Sequence, residues 1–500
     1  MSDVSPMNSR VYLPAQVREL DRIAIEEQGI PGYDLMCRAG EACFTAVRKR
    51  FPAAQRWLIF CGSGNNAGDG YVIARLAMQN GIEVRLVALS DPADLHGDAA
   101  TAWHDYQGQG GEFMGFDGQP DFAGIDLIID ALLGTGLERP LKGQYLDAVK
   151  LINQAQLPVI AVDIATGLNG TTGAVMGEAV LAGMTVTFVG LKQGLFIAAG
   201  PGCTGELVYD DLDIAPIDSV RVKPELNVFT GADAQGLLPR RPRDSHKGDH
   251  GHVLIIGGNV GMGGAVRLAG EAALRGGAGL VSVATRPDNV TSLVAGQPEL
   301  MARGVETDPD FELLLDLADV IALGPGLGTD EWAQHLFNRA LASGLPLVVD
   351  ADALNLLAAQ PVKRDDWILT PHPGEAARLL RANTGAVQSD RIGAVDALVN
   401  KYGGTVLLKG HGTLVASAEL ESPWLIRAGN PGMGTAGMGD VLTGVIAALL
   451  AQFDGQIAMA DIAACAGWAH AAAGDKASEQ GERGLVASDL LQELRSCLNP

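Results

Sequence analysis

Apolar, β-branched runs of strand length alternate along the chain with longer stretches of helical period. In the first half the runs are WLIFCG, EVRLVAL, DLIIDALL, PVIAVDI and TVTFVGL; in the second they are HVLIIGG, GLVSVAT, DVIALG, PLVVDAD, WILTPH and TVLLKG. This alternation predicts parallel sheets covered by helices on both faces, so each half reads as an α/β unit of its own. Two helical patterns, Pro14 to Gly29 and Tyr33 to Phe51, precede the first sheet. They either pack on it or mediate self-association, and a homo-oligomer is expected.

Between the halves lies PIDSVRVKPELNVFTGADAQGLLPRRPRDSHKGDHG, rich in Pro, Arg and Asp and poor in periodic apolar residues. Such a stretch reads as a junction, which places a boundary near residue 225 and units at 1–225 and 226–500. The length of 500 residues is ample for two cores, and hydrophobic residues at 47% with 65 glycines favour globular units with many tight strand-to-helix turns. A formal charge of −23 removes nucleic acid from consideration, because a duplex binder needs a basic face. The six cysteines are scattered with no C-x-x-C pair, which fits a reducing cytoplasm. The opening MSDVSPMNSR lacks an apolar signal-peptide core, and no uncharged apolar run reaches the roughly 18 residues that span a bilayer, so no membrane insertion is expected.

In open parallel sheets ligands gather beyond the C-terminal strand ends. After WLIFC comes GSGNNAGDG, running into a helix whose unpaired N–H groups suit phosphate. The match to a dinucleotide fingerprint is poor, but Asn65, Asn66 and Asp69 add polar oxygens to a turn that glycine alone could make. Two further strand ends carry acids, Asp130 in LIIDALLGTGLERP and Asp163 in VIAVDIATGLNG. A carboxylate that ends an apolar strand is costly unless it is paired, bound to an ion or reacting; the plainer alternative is an N-cap of the next helix.

In this order and spacing, GNNAGDG, DALLGTG and VDIATG resemble the N-terminal epimerase domain of the bifunctional NAD(P)H-hydrate repair enzymes. The resemblance implies a Rossmann-like three-layer domain that binds potassium through Asn66, Asp130 and Thr166. It further implies that Asn65, Asn66, Ala67, Gly68 and Asp69, with Gly134, Thr135, Gly136, Leu137, Glu138, Arg139 and Pro140, hold the hydrated nucleotide, and that Asp163 transfers the proton. The chain departs from the family pattern at Ser63 and Ala165, where proline is common, and at Thr166, where serine is.

In the second half, SHKGDHGHVLIIGG offers His246, His250 and His252 at a spacing that is not a zinc pattern. Further glycine or proline turns end strands at GPGLG, TPHPGE and LKGHGT, where Lys409 is placed to meet a phosphate. Finally, NPGMGTAGMGDVLTG sets glycines ahead of Asp440 and an apolar helix. Successive N–H groups and the helix start make an anion hole, beside which Asp440 can serve as a general base; Asp440 as a plain N-cap is the alternative.

Together GPGLG, PHPGE, LKGHGT and GTAGMGD resemble the ribokinase-like fold, and more narrowly the dehydratase domain of the same repair enzymes. That resemblance implies ADP, with magnesium, on Lys409, Gly410, His411, Gly412, Thr413 and Gly439, and the hydrated nucleotide near Ala265, Gly326, His372 and Asp440. The expected substrates are the hydrates NADHX and NADPHX. A ribokinase-like small-molecule kinase, and a non-catalytic first unit that senses nucleotides or binds protein, are the competing readings.

Overall fold

The computed structural model describes residues 9–499. Residues 1–8, where the sequence shows no signal-peptide core, and residue 500 lie outside the described residues. The chain divides into two compact units, the first ending at Leu226 and the second beginning at Asn227.

The first unit holds a seven-stranded parallel sheet in the order Met114–Gly115, Glu83–Ala88, Arg56–Cys61, Leu127–Ala131, Val159–Val162, Met184–Phe188, Glu206–Asp210. Its central strands are buried end to end, because helices cover both faces, and this is why they read as unbroken apolar runs. Two early helices, Pro14–Glu26 and Gly32–Arg50, match the two helical patterns; Val17, Leu20, Ile23 and Ala24 put the first one's apolar stripe into the core. The short ladder of Arg10–Tyr12 with Leu191–Lys192 anchors that helix at its start.

The second unit's sheet runs Met301–Gly304, Leu280–Thr285, His252–Ile256, Val320–Leu323, Leu347–Val349, Trp367–Leu369, Thr405–Leu408, all parallel. It continues antiparallel through Thr413–Ser417 and Trp424–Ile426 and then to Leu226–Val228, which lies parallel to Trp424–Ile426. The small-residue helix Gly263–Arg275 packs against Met438–Phe453 so closely that a Cβ on Gly444 would stand 2.1 Å from the Ala269 carbonyl oxygen. The α/β class expected of both halves is what the structure has. The junction stretch is more ordered than its composition suggests. It supplies the strand Leu226–Val228 and the helix Gly231–Leu237, which opens on a capping box between Thr230 and Asp233. Among the described residues, no helix is long and apolar enough to cross a membrane.

Candidate active sites

In the first sheet, consecutive connections leave Arg56–Cys61 toward one edge and Leu127–Ala131 toward the other, so the crevice between their C-terminal ends is a topological switch point. The two turns almost touch there: a Cβ on Gly62 would lie 1.9 Å from the Leu132 carbonyl oxygen, so only glycine fits. A cleft of about 1270 Å³ opens beyond them. The loop Gly134–Pro140, Asn65, Asn66, Asp69 and Asp163 all line it, whereas Ala67 and Gly68 are buried in the first turn of the helix Asn65–Gln79.

Asp130 ends its strand fully buried. Its carboxylate accepts the Thr166 hydroxyl at 2.7 Å, the Thr166 amide at 2.8 Å and the Leu132 amide at 3.2 Å. Burial pushes its pKa up to about 6 against these bonds, and no cationic side chain pairs with it among the described residues. Thr166 also takes the Leu133 amide at 3.0 Å, and Asn66 stands beside the next residue, Gly134, with its buried Nδ2 unpartnered. The candidate ion ligands therefore meet around one turn. A buried carboxylate that lacks a counter-charge, with the Thr166 hydroxyl oxygen against it, suits a hard monovalent cation.

Asp163 sits in left-handed backbone at φ 68°, a conformation a non-glycine residue holds only under constraint. Its amide donates to the Val186 carbonyl at 2.7 Å and its carboxylate forms an ion pair with Lys192. Lys192 is itself buried, donating also to the Phe188 carbonyl at 2.7 Å and the Thr187 hydroxyl at 3.0 Å. Asp69 and Asp21 line the same cleft. Asp69 is pushed well above the usual carboxylate range by burial and by the charges of Asp163 and Asp21. Asp21 gives no signal in the sequence because it lies inside a helix, whereas Lys192 follows directly on the run TVTFVGL, between Gly190 and Gly194, and so stands at a strand end. The Tyr12 to Lys192 register brings the two segments together.

The second sheet has its own switch point, between His252–Ile256 and Val320–Leu323. The two following loops knit together: the Gly258 amide donates to the Pro325 carbonyl at 3.0 Å and the Asn259 amide to the Gly326 carbonyl at 2.7 Å. Gly326, at φ +56°, fits against Met262 and Ala265, which brings two of the expected substrate contacts side by side. Asp352 accepts the Gly328 amide at 2.8 Å.

At the neighbouring strand ends Lys409 donates to Asp350 at 2.7 Å and stands 3.8 Å from Glu375. Asp350, 2% exposed at its side chain, also accepts the Thr443 hydroxyl at 2.8 Å and so ties the strand end to the helix Met438–Phe453. Despite burial, the Lys409 pKa is raised by these two carboxylates, while burial lifts Glu375 to about 7. His372 caps the helix Pro373–Leu380, its Nδ1 accepting the Gly374 amide at 2.9 Å, and burial lowers its pKa. The loop after Lys409 wraps Arg391, a buried guanidinium that donates to the carbonyls of Leu408, Lys409 and Gly412 at 3.2, 3.3 and 3.2 Å. Asp350 and Arg391 are further residues that motif reading missed. Asp350 follows directly on the strand Leu347–Val349, so a strand-end signal was present; Arg391 is distant in sequence and carried none.

The helix that follows begins at Met438, with Gly437 as N-cap in left-handed backbone at φ 90°. Its first bond runs from the Val441 amide to the Gly437 carbonyl, so the amides of Met438, Gly439 and Asp440 lie ahead of it as an anion hole requires. A Cβ on Gly439 would stand 3.3 Å from both Lys409 Nζ and Asp350 Oδ2, which puts the glycine turn against the lysine. Asp440 is not a cap acceptor; its pKa is pushed up to about 6 by burial and by the charge of Asp350.

Two open-sheet α/β units, each with polar and ionised groups gathered at its switch point, define a two-site enzyme whose second unit is ribokinase-like. That unit's fold is matched by a crystal structure of a ribokinase-like superfamily protein from Enterococcus faecalis V583, with TM-score 0.51 and 32% identity over 54% of this chain and 94% of that one. The family described as "YjeF-related protein N-terminus" matches residues 32–194, and that described as "NAD(P)H-hydrate dehydratase" matches residues 253–496. The bifunctional NAD(P)H-hydrate repair enzyme of Coxiella burnetii is 46% identical over 98% of this chain and 99% of its own length; that of Escherichia coli K12 is 44% identical over 98% and 94%. The chain belongs to the bifunctional NAD(P)H-hydrate repair enzymes, with an epimerase unit followed by a dehydratase unit.

Proposed function

We propose that the unit up to about residue 225 interconverts the R and S forms of NADHX and NADPHX, and that the unit from about residue 226 dehydrates the S form at the expense of ADP. In the first site, Asn65 to Asp69 and Gly134 to Pro140 hold the nucleotide, and Asp163 moves the proton. Asn66, Asp130 and Thr166 would hold potassium, which when bound supplies the missing counter-charge to Asp130. The ion pair with Lys192 fixes the Asp163 carboxylate in direction.

In the second site, Lys409 to Thr413 and Gly439 receive the ADP phosphates, and Ala265, Gly326 and His372 border the hydrated ring. Hydration leaves a hydroxyl on carbon 6, and hydroxide is a poor leaving group. Asp440 takes the hydroxyl proton while the oxygen attacks the β-phosphorus of ADP, releasing AMP. The ring-nitrogen lone pair then expels phosphate, and loss of a proton from carbon 5 restores the dihydropyridine. The amides ahead of the helix bear the charge that develops on the migrating phosphoryl group.

The observation that carries this reading is the placement of Asp440 beside unpaired helix-start amides and the Lys409–Asp350 pair. The test is incubation of the whole chain with S-NADHX and ADP, following the absorbance of regenerated NADH and the release of AMP and phosphate. A stable phosphorylated product with no NADH would instead mark a kinase. The six cysteines are all free thiols, which supports work in the reducing cytoplasm.

A further inference from the structure

Epimerisation at carbon 6 has a proton problem that one carboxylate does not solve. The carbon bears a hydroxyl and the ring nitrogen, so its configuration is lost when the carbon–nitrogen bond opens. The hydroxyl must then give up a proton as its oxygen becomes an aldehyde, and the departing nitrogen must gain one. A base and an acid are both needed, on different atoms of the substrate.

Asp163 fills only the first role. Its carboxylate is ion-paired with Lys192 and accepts the Thr187 hydroxyl at 3.3 Å, so its oxygens are already set as hydrogen-bond acceptors. Asp21 is held differently. The helix Pro14–Glu26 starts directly after Arg10–Tyr12, and Tyr12 pairs with Lys192. Val17 and Leu20 seat the helix against Gly190, where an added Cβ would meet them at 3.2 and 3.3 Å. Asp21 is thereby set into the wall of the cleft that Asp163 and Lys192 also line.

Its nearest cation in sequence, Arg22, is engaged with Glu19, Glu26 and Glu27 and leaves Asp21 alone. The charged groups that bear on Asp21 are Lys192, Asp163 and Arg18, and Asp21 in turn bears on Asp69. Burial raises its pKa to about 6, opposed by Lys192 and assisted by Asp163. Three carboxyls thus share one buried lysine, and Asp163 has that lysine.

We propose that Asp21 is the proton donor that partners Asp163 in the epimerase site. This rests on the assignment of Asp163 above. Asp163 takes the proton of the carbon 6 hydroxyl, and the oxygen's electron pair forms the carbonyl as the carbon–nitrogen bond breaks. That bond's pair stays on nitrogen, which takes the proton from Asp21. Rotation about the bond between carbons 5 and 6 presents the other aldehyde face. Nitrogen re-adds, returning its proton to Asp21, and Asp163 reprotonates the oxygen. No oxidant, reductant or co-reactant is consumed.

The experiment follows conversion of S-NADHX to R-NADHX by the full-length protein without ADP, separating the two forms chromatographically across pH. The parent should give a bell-shaped profile whose fall with rising pH reports Asp21. Asp21→Asn should lower the exchange rate about 10²-fold and abolish that fall, and Asp21→Glu should keep the rate within about tenfold of the parent. Exchange by Asp21→Asn within threefold of the parent would overturn the proposal, as would a loss in both variants with the shape of the profile unchanged. Asp163→Asn is measured alongside. If it exchanges normally, the assignment of Asp163 fails; if it is dead while Asp21→Asn exchanges within threefold of the parent, only the role of Asp21 fails.

Discussion

Replacing Asp440 by Asn should separate activity from stability in opposite directions. Its carboxyl is half-buried at the start of the helix Met438–Phe453 and accepts none of the cap hydrogen bonds. The substitution therefore removes a charge while preserving shape. Burial and the Asp350 carboxylate hold its pKa at about 6 instead of 3.8. An ionised Asp440 thus costs the fold on the order of 3 kcal/mol before solvent screening, at about 1.4 kcal/mol per decade. The sign follows from linkage: with the folded pKa above the unfolded one, the penalty is absent below about pH 4 and complete above about pH 6. Asp440→Asn should match the parent in denaturant unfolding at low pH and exceed it by about 1 to 3 kcal/mol at neutral pH. Activity should move the other way. Loss of a general base removes about 10² to 10⁴ in turnover, or roughly 3 to 5 kcal/mol of barrier, and the parent's dehydration rate should climb with pH through about 6. Steady-state recovery of NADH from S-NADHX with saturating ADP measures this. A variant within tenfold of the parent, or one that is inactive because it is less stable, would refute the reasoning.

Lys409→Met should leave Asp350 buried without its cation and cost about 3 to 5 kcal/mol of stability, read by chemical denaturation of the intact chain, together with weaker ADP binding. Arg391→Lys keeps the charge but cannot reach three carbonyls at once, so the loop Leu408 to Gly412 should loosen; calorimetry should show ADP affinity falling while the KM for NADHX changes little. Gly326→Ala forces a Cβ to within 2.7 Å of Met262 Cβ at a left-handed φ, for an expected loss of about 1 to 3 kcal/mol in thermal unfolding and a raised KM for the hydrated nucleotide.

The parallel strands were legible because burial on both faces forces continuous apolar runs. Those exempt from that rule went unread: Glu206–Asp210 lies at the sheet edge with charged ends, and Arg10–Tyr12 and Leu191–Lys192 are too short to show a period. The site followed the same division. Asp130, Asp163, Lys409 and Asp440 stand where a strand or glycine turn meets a helix, and sequence marks such places. Asp21 and Arg391 reach their sites through helix packing between distant segments, for which adjacent residues give no cue, while Lys192 follows directly on the run TVTFVGL. Asp350 is likewise at a strand end, an acid whose signal was available and went unused.

The resting state of Lys409 bears on how an anion enters. The lysine is already shared between Asp350 and Glu375, and Asp440 stands close by, so carboxyls outnumber cations in the pocket proposed to receive the phosphates. Burial sets Glu375 at about 7, the acid best placed to give way. Nucleotide capture should therefore draw protons from the buffer, and the heat of binding should change with the buffer's ionisation enthalpy. The pocket would act as a small acid–base reservoir that releases its protons again when AMP and phosphate depart.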